Sequence, residues 1–272
     1  RRLSAPHCEA RICLQYRGQS NHRPEVSRGP RAVHKRLLLN IWTEQNTRWL
    51  PMDIWDQCAD DFPDLAGKAC YAGLDLASTT DIAALVLAFP IGGTVHLLPF
   101  FFVPSEGIKR RSERDRVPYV DWVRQGLIIA TEGNVIDYDV IRGKINELAE
   151  EYQIKEIAID RWNATQLSTQ LAGDGFEMIG FGQGFASMSA PTKELERRVL
   201  AQEINHGGNP VLRWMASNIS VKQDPAGNMK PDKSKSTERI DGIVAALMAL
   251  GRVMTADEDR GSVYDSGGIM FV

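Results

Sequence analysis

From position 68 onward the chain sets short apolar runs between polar connectors. Residues 70–76, 82–89 and 94–103 are three strand-like runs, separated by Ser-Thr-Thr-Asp and by Pro-Ile-Gly-Gly. Connectors this short predict an antiparallel meander. The polar, basic stretch 105–116 reads as a loop. Helical spacing over 138–152, a buried-strand run at 156–160 and a helix over 164–172 then predict strand–helix alternation. A short strand at 177–181 leads through a Gly-rich loop, residues 180–184, to a helix opened by Pro191 and running to about Asn205. Residues 209–216 suit another helix, and Asp224-Pro-Ala-Gly227 suits the turn of a small hairpin. The last strong pattern, residues 238–253, puts Ile240, Ile243, Val244, Leu247 and Leu250 on one helical face. The expected fold is α/β, an antiparallel meander followed by alternating strands and helices.

The ends look different. The few apolar residues of 1–36 have no period, which predicts a disordered or non-native tail. Residues 37–67 carry Trp42, Trp49 and Trp55, with a short helix after Pro51, and read as a connector docked on the main domain at 68–254. Residues 255–272 are rich in Gly, Ser and Asp and read as a flexible tail. The chain opens Arg-Arg-Leu-Ser with neither an initiator Met nor a signal-peptide core, so a fragment or a processed product is expected.

Composition narrows the function classes. With 272 residues, 43% hydrophobic and 25% charged, the chain can bury a large core. Its net charge of −3 excludes a uniformly basic nucleic-acid binder, so any DNA affinity must come from local clusters. No apolar run approaches the roughly 20 residues that span a bilayer. Four cysteines without a C-x-x-C pair predict a reducing compartment rather than a disulfide framework. Cys8 and Cys13, with His7 and His22 nearby, do not match zinc-ligand spacing.

Three aspartates stand in apolar settings: Asp75 in YAGLDLA, Asp160 at the end of EIAID, and Asp241 at the head of RIDGIVAALMAL. Desolvating one carboxylate costs several kcal/mol, roughly, and grouping several adds repulsion unless a cation cancels it. If the strands carrying Asp75 and Asp160 are parallel neighbours, both acids lie at the carboxyl rim where α/β sheets place their sites. Asp241 can join them from a covering helix, with Gly242 removing bulk beside it, and Asp81 returns to the same rim as a secondary ligand. Hard oxygen donors without His or Cys select Mg²⁺ or Mn²⁺, and two such ions can drive phosphodiester hydrolysis. Each aspartate taken singly also fits a turn or helix cap. Asp137, Asp139, Asp224 and Asp232 read as plain turn residues. Two basic tracks are candidate DNA contacts: Lys109, Arg110, Arg111, Arg114 and Arg116, and Lys222, Lys230, Lys233, Lys235 and Arg239. A solvated face is the alternative for either. His206 reads as a capping or surface residue of a loop, with a base or a ligand as the functional alternatives.

With these pieces assembled, the chain resembles the C-terminal nuclease domain of tailed-bacteriophage terminase large subunits, a ribonuclease H-like family, which implies a mixed five-stranded sheet (an antiparallel meander plus parallel strands) flanked by helices. The resemblance rests on LNIWTEQNTRWLPMDIWDQC, YAGLDLASTTDIAALVLAF, EIAIDRWNATQL, SMSAPTKELE, HGGNPVLRWMASN and DKSKSTERIDGIVAALMAL, in order over residues 37–253. It implies a metal-dependent endonuclease that cuts concatemeric double-stranded viral DNA during genome packaging. The metal would sit on Asp75, Asp160 and Asp241, with Asp81 at a further acidic position. Implied partners are double-stranded DNA, a portal protein and a terminase small subunit, with no membrane, in the bacterial host cytoplasm. The chain has no G-x-x-x-x-G-K-S/T sequence, so the packaging ATPase of the family is not expected within it. Two other readings stay open. GLDLASTT also resembles the first phosphate loop of sugar kinases and actin-like ATPases, and a catalytically inactive prophage remnant could bind DNA or assemble without turnover.

Overall fold

In the computed structural model, which describes residues 49–76, 81–160 and 165–260, three long strands form a meander. They are β1 (Ala69–Asp75), β2 (Ala83–Ile91) and β3 (Thr94–Pro104), paired antiparallel in sequence. β5 (Gln153–Asp160) lies parallel to β1, and β6 (Met178–Phe181) parallel to β5. These five are the mixed sheet the family resemblance implies, with the meander read from the hydrophobic pattern. Two short strands extend it: β4 (Ile129–Thr131) and β7 (Ile204–Asn205) pair with β3 at its two ends. The order is β4-β3-β2-β1-β5-β6, with β7 beside β3.

Helices cover both faces of the sheet. In chain order they are α1 (Met52–Gln57), α2 (Ile108–Asp115), α3 (Tyr119–Arg124), α4 (Tyr138–Glu151), α5 (Thr165–Gly173), α6 (Phe185–Ala201), α7 (Pro210–Asn218) and α8 (Asp241–Arg260). The two-residue alternation of β1 divides the core between the faces. Cys70, Ala72 and Leu74 pack with Ile141, Ile145, Leu167 and Leu171 of α4 and α5. Tyr71 faces the opposite layer, built from α8, α6, α7 and α1. Odd positions of β1 therefore point toward α8, and Asp75 is one of them. On β5 the same alternation puts Ile157 and Ile159 with α4 and α5, and Ala158 with α8.

α8 is the centre of that layer. Residues 240–250 are all buried, not only the single apolar face of the sequence pattern, because β1 and β2 lie under the helix while α6 and α7 cover it. Ala245, Ala246 and Ala249 supply the small sides that allow both contacts. Closest approach occurs at Gly73, where an added Cβ would stand 2.0 Å from the Ala245 carbonyl oxygen and 2.8 Å from the Ala249 nitrogen.

Several boundaries differ from those read in the sequence. The basic stretch expected as a loop contains α2, and α3 and β4 follow it. α6 begins at Phe185, so Pro191 lies inside the helix, where it is buried in the core layer, rather than at its start. The hydroxyl of Thr192 donates to the Met188 carbonyl at 2.7 Å, supporting the turn that the proline interrupts. The helix stops at Ala201 because Gln202 turns left-handed (φ 57°), and Ile204 and Asn205 enter the sheet. α7 is capped by Asn209, which accepts from the Val211 and Leu212 amides at 3.0 Å with Pro210 in the first turn. The small hairpin is present as β8 (Val221–Gln223) and β9 (Met229–Pro231), closed at Asp224 to Gly227. α8 continues to Arg260, past the point where a loose tail was expected. Of the connector expected at 37–67, the described residues Leu50, Met52, Trp55 and Cys58 are buried in the α8 layer. Residues 1–48, with Trp42, Cys8, Cys13, His7 and His22, lie outside the described residues, as do 77–80, 161–164 and 261–272. Among the described residues, no helix is long and apolar enough to cross a membrane.

Candidate active site

The carboxyl rim of β1 and β5 meets the N-terminus of α8, and three proposed acids arrive there by three routes. Asp75 ends β1 facing α8, because the strand alternates and Tyr71 already points that way. Asp160 ends β5 one step beyond the last paired residues, Leu74 and Ile159, and shares the α8 side with Ala158. Asp241 opens α8 itself, where a carboxylate suits the positive end of the helix. Gly242, beside it, is needed for packing against side chains: an added Cβ would stand 2.7 Å from Phe101 and 2.8 Å from the Met215 sulfur.

Asp75 and Asp241 are 2% and 7% exposed, and burial this deep requires compensation. The compensation is Lys233, whose ammonium donates to Asp75 Oδ2 at 2.9 Å and to Asp241 Oδ1 at 3.1 Å. The other oxygen, Asp75 Oδ1, accepts from Gln183 Nε2 at 3.0 Å. Burial pushes the Asp75 carboxyl up to about 6; Lys233 opposes the rise, Asp241 adds to it, and the bonds from Lys233 and Gln183 oppose it. For Lys233, burial alone would lower the pKa, but Asp75 and Asp241 more than offset it and hold the ammonium charged. One cationic position thus already lies between two carboxylates from different elements. Among the described residues, no group of three or more His, Cys, Asp or Glu side chains is arranged to hold an ion together. Asp160 is half-buried on the neighbouring strand.

Asp81 has a separate partner. Arg239 holds both its oxygens, at 2.6 and 2.8 Å, in a cleft with Arg111, Arg114 and Asp115. Arg111 reaches the Pro104 and Glu106 carbonyls, and Arg114 pairs with Asp115. Of the second basic track, Lys222 and Lys235 are exposed, while Lys230 donates to the Gln183 carbonyl at 2.9 Å and lies over the Phe185 ring. Two members of that track, Lys233 and Arg239, are therefore counter-ions to acids of the same chain. His206 is a packing residue: it is 1% exposed, stacked on Trp55 at 4.4 Å, with Nε2 donating to the Trp55 carbonyl and Nδ1 accepting from the Gly208 amide.

Sequence reasoning gave no part to Gln183 and none to Asp232. The Gly-rich loop that carries Gln183 was visible, but nothing local shows that its amide reaches β1. Asp232 read as a turn residue, and so it is, but a buried one whose carboxylate accepts from the amide and hydroxyl of Ser234, closing a turn around Lys233.

A mixed sheet with a meander, parallel strands on its far side and acids at the carboxyl rim facing a C-terminal helix defines a ribonuclease H-like domain. Residues 29–257 match the family described as the terminase large subunit, endonuclease domain, and the chain belongs to that family. It is 35% identical over 234 residues to the terminase large subunit of Enterobacteria phage HK97, covering 85% of this chain and 46% of that protein. It is 29% identical over 241 residues to protein YmfN of Escherichia coli (strain K12), covering 84% and 53%. The chain thus spans about half the length of these relatives. The crystal structure of the HK97 large terminase superposes with a TM-score of 0.71 at 36% identity, over 76% of this chain and 43% of that one. The large terminase nuclease of thermophilic phage G20c, solved with bound cobalt, shares the fold at a TM-score of 0.50 and 9% identity, over 76% and 98%. Family membership assigns GLDLASTT to a terminase nuclease, not to a sugar kinase.

Proposed function

We propose that the chain is a divalent-metal-dependent endodeoxyribonuclease that cuts concatemeric double-stranded viral DNA during genome packaging. The observation that carries the reading is the convergence of buried Asp75 and Asp241 on one cation position, with Asp160 on the adjoining strand. Oxygen donors without His or Cys fit Mg²⁺ or Mn²⁺, with two ions and with Asp75, Asp160 and Asp241 as ligands. Bound there, such ions supply an activated water and stabilise the leaving oxygen. The protein's own part is positional. Gln183 fixes the orientation of Asp75, α8 brings Asp241 to the rim, and burial keeps the carboxylates poorly hydrated and avid for a cation. Asp81, tied to Arg239, contributes from a distance as a secondary acid and keeps an arginine cleft beside the rim. Lys222 and Lys235, exposed on and after the hairpin, are the remaining candidates for DNA phosphates. A portal protein and a terminase small subunit are the proposed partners, and the host cytoplasm the proposed location.

The test is plasmid cleavage in Mg²⁺ or Mn²⁺. Asp75→Asn and Asp160→Asn should each abolish nicking while the protein stays folded by circular dichroism. Cutting that needs no metal and persists in both variants would refute the assignment. Lys233 between the acids gives a second reading, a DNA-binding module without turnover, and wild-type protein that binds DNA but never nicks it would favour that one.

A further inference from the structure

We propose that Lys233 is a resident counter-cation, which a divalent ion must displace on entering the site, so that metal loading releases an ammonium toward bound DNA. The inference rests on the nuclease reading and concerns how its site is kept before metal arrives. The geometry supports it in three ways. First, the ammonium bridges Asp75 and Asp241 at 2.9 and 3.1 Å, so it and a metal cannot use the same carboxylate oxygens together. Second, of the three side chains only Lys233 can leave without unpacking the core: it is 49% exposed, against 3% and 10% for the acids. Third, its position is built in. Asp232 accepts from the Ser234 amide at 3.1 Å and hydroxyl at 2.6 Å, and its carbonyl accepts from the Lys235 and Ser236 amides. The Asp232 amide in turn donates to the Ser220 carbonyl at 2.8 Å, which ties the turn to the start of the hairpin.

Charge favours the exchange. Two carboxylates and one ammonium carry a formal charge of −1, and replacing the ammonium with one divalent ion brings the formal charge to zero. The turn stays in place when the ammonium leaves, because β9 keeps its own ties: the Met229 amide donates to Ser189 Oγ at 3.2 Å, and Lys230 reaches the Gln183 carbonyl. The released side chain then swings from a fixed turn at the mouth of the site, beside exposed Lys235.

Two measurements on the full chain test this. In calorimetric titration with Mn²⁺, Lys233→Met should bind roughly tenfold tighter or more than wild type, since one charge-assisted hydrogen bond is worth about that factor. Lys233→Arg, which keeps the competing charge, should not gain. In wild type, mass spectrometry after amine acetylation should show Lys233 protected without metal and reactive with Mg²⁺, with Lys235 as the unchanging internal reference. Equal Mn²⁺ affinity in wild type and Lys233→Met, or Lys233 protection that Mg²⁺ leaves unaltered, would overturn the exchange while the nuclease reading stands. Absence of Mn²⁺ binding in wild type and both variants would overturn both.

Discussion

Gly73→Ala tests whether the approach of α8 to β1 assembles the site. Gly73 lies in ordinary extended backbone, so alanine there carries no conformational penalty and the cost is purely steric. The new Cβ would meet the Ala245 carbonyl oxygen at 2.0 Å, the Ala249 nitrogen at 2.8 Å and the Ala245 carbonyl carbon at 3.0 Å. All three are backbone atoms of a helix clamped between the sheet and α6 and α7, so no rotamer change relieves the clash. To move from 2.0 Å to an ordinary contact of 3.4 Å, α8 must retreat by about 1.4 Å, and overpacking against a buried backbone belongs at or above the top of the usual range of about 1–3 kcal/mol. With a urea dependence of about 2 kcal/mol/M, a loss of about 3 kcal/mol lowers the unfolding midpoint by about 1.5 M. The same retreat pulls Asp241 from Asp75, which stand two residues from Gly73 along β1 and four from Ala245 along α8, so Mn²⁺ affinity should fall together with stability. Urea titration followed by circular dichroism, with calorimetric Mn²⁺ titration of the folded fraction, reads both. A midpoint within about 0.3 M of wild type would show that the contact is not as tight as the structure has it.

Gly242→Ala meets side-chain atoms of Phe101 and Met215 instead of backbone, so it should cost less stability than Gly73→Ala; the reverse order in urea midpoints would contradict this. Burial raises the Asp75 carboxyl to about 6 from 3.8, so the folded state holds a proton more readily than the unfolded chain. The stability this gives is complete below about pH 3.8 and lost as pH rises through about 6. In metal-free buffer Asp75→Asn should therefore raise the urea midpoint at pH 7.5, and a lower midpoint there would refute the account. Burial lowers the His206 pKa below 6.5, so its contribution is complete above pH 6.5 and lost as pH falls through the folded value. A Cm-against-pH profile should lose part of its fall below pH 6.5 in His206→Gln, whereas an unaltered slope would assign that fall to other groups.

The strand runs were legible because each apolar segment is short and bounded by turn residues, and Asp75, Asp160 and Asp241 stood out as charges inside such runs. What the chain could not disclose locally was the partner of each charge. Lys233 is 158 positions from Asp75, and Gln183 is 108 positions from it. Arg239 likewise reaches Asp81 across 158 positions, so a residue read as a DNA-facing or solvated cation proves to be paired within the chain. α2 was missed because Lys109 to Arg114 offers almost no apolar face and buries none of its side chains. Pro191 misplaced the start of α6 because proline suits a first turn so well that an interior position, held by tertiary packing, was the less natural reading.

The missed charge partners share a physical cause that bears on function. A buried acid is conspicuous in sequence because it violates the apolar pattern, whereas its counter-ion comes from a polar stretch where lysines are ordinary. The acids alone suggest a site waiting for metal; the fold adds that an ammonium from a rigid turn already balances part of their charge. A nuclease site that holds its own cation can keep two buried carboxylates 2% and 7% exposed without unfolding before metal arrives. It would then bind a divalent ion only by exchange, which weakens metal affinity and makes the turn at Asp232 a determinant of when the site is loaded. Shortening that turn or removing the Asp232 carboxylate should therefore alter metal affinity although neither change touches an acid of the site.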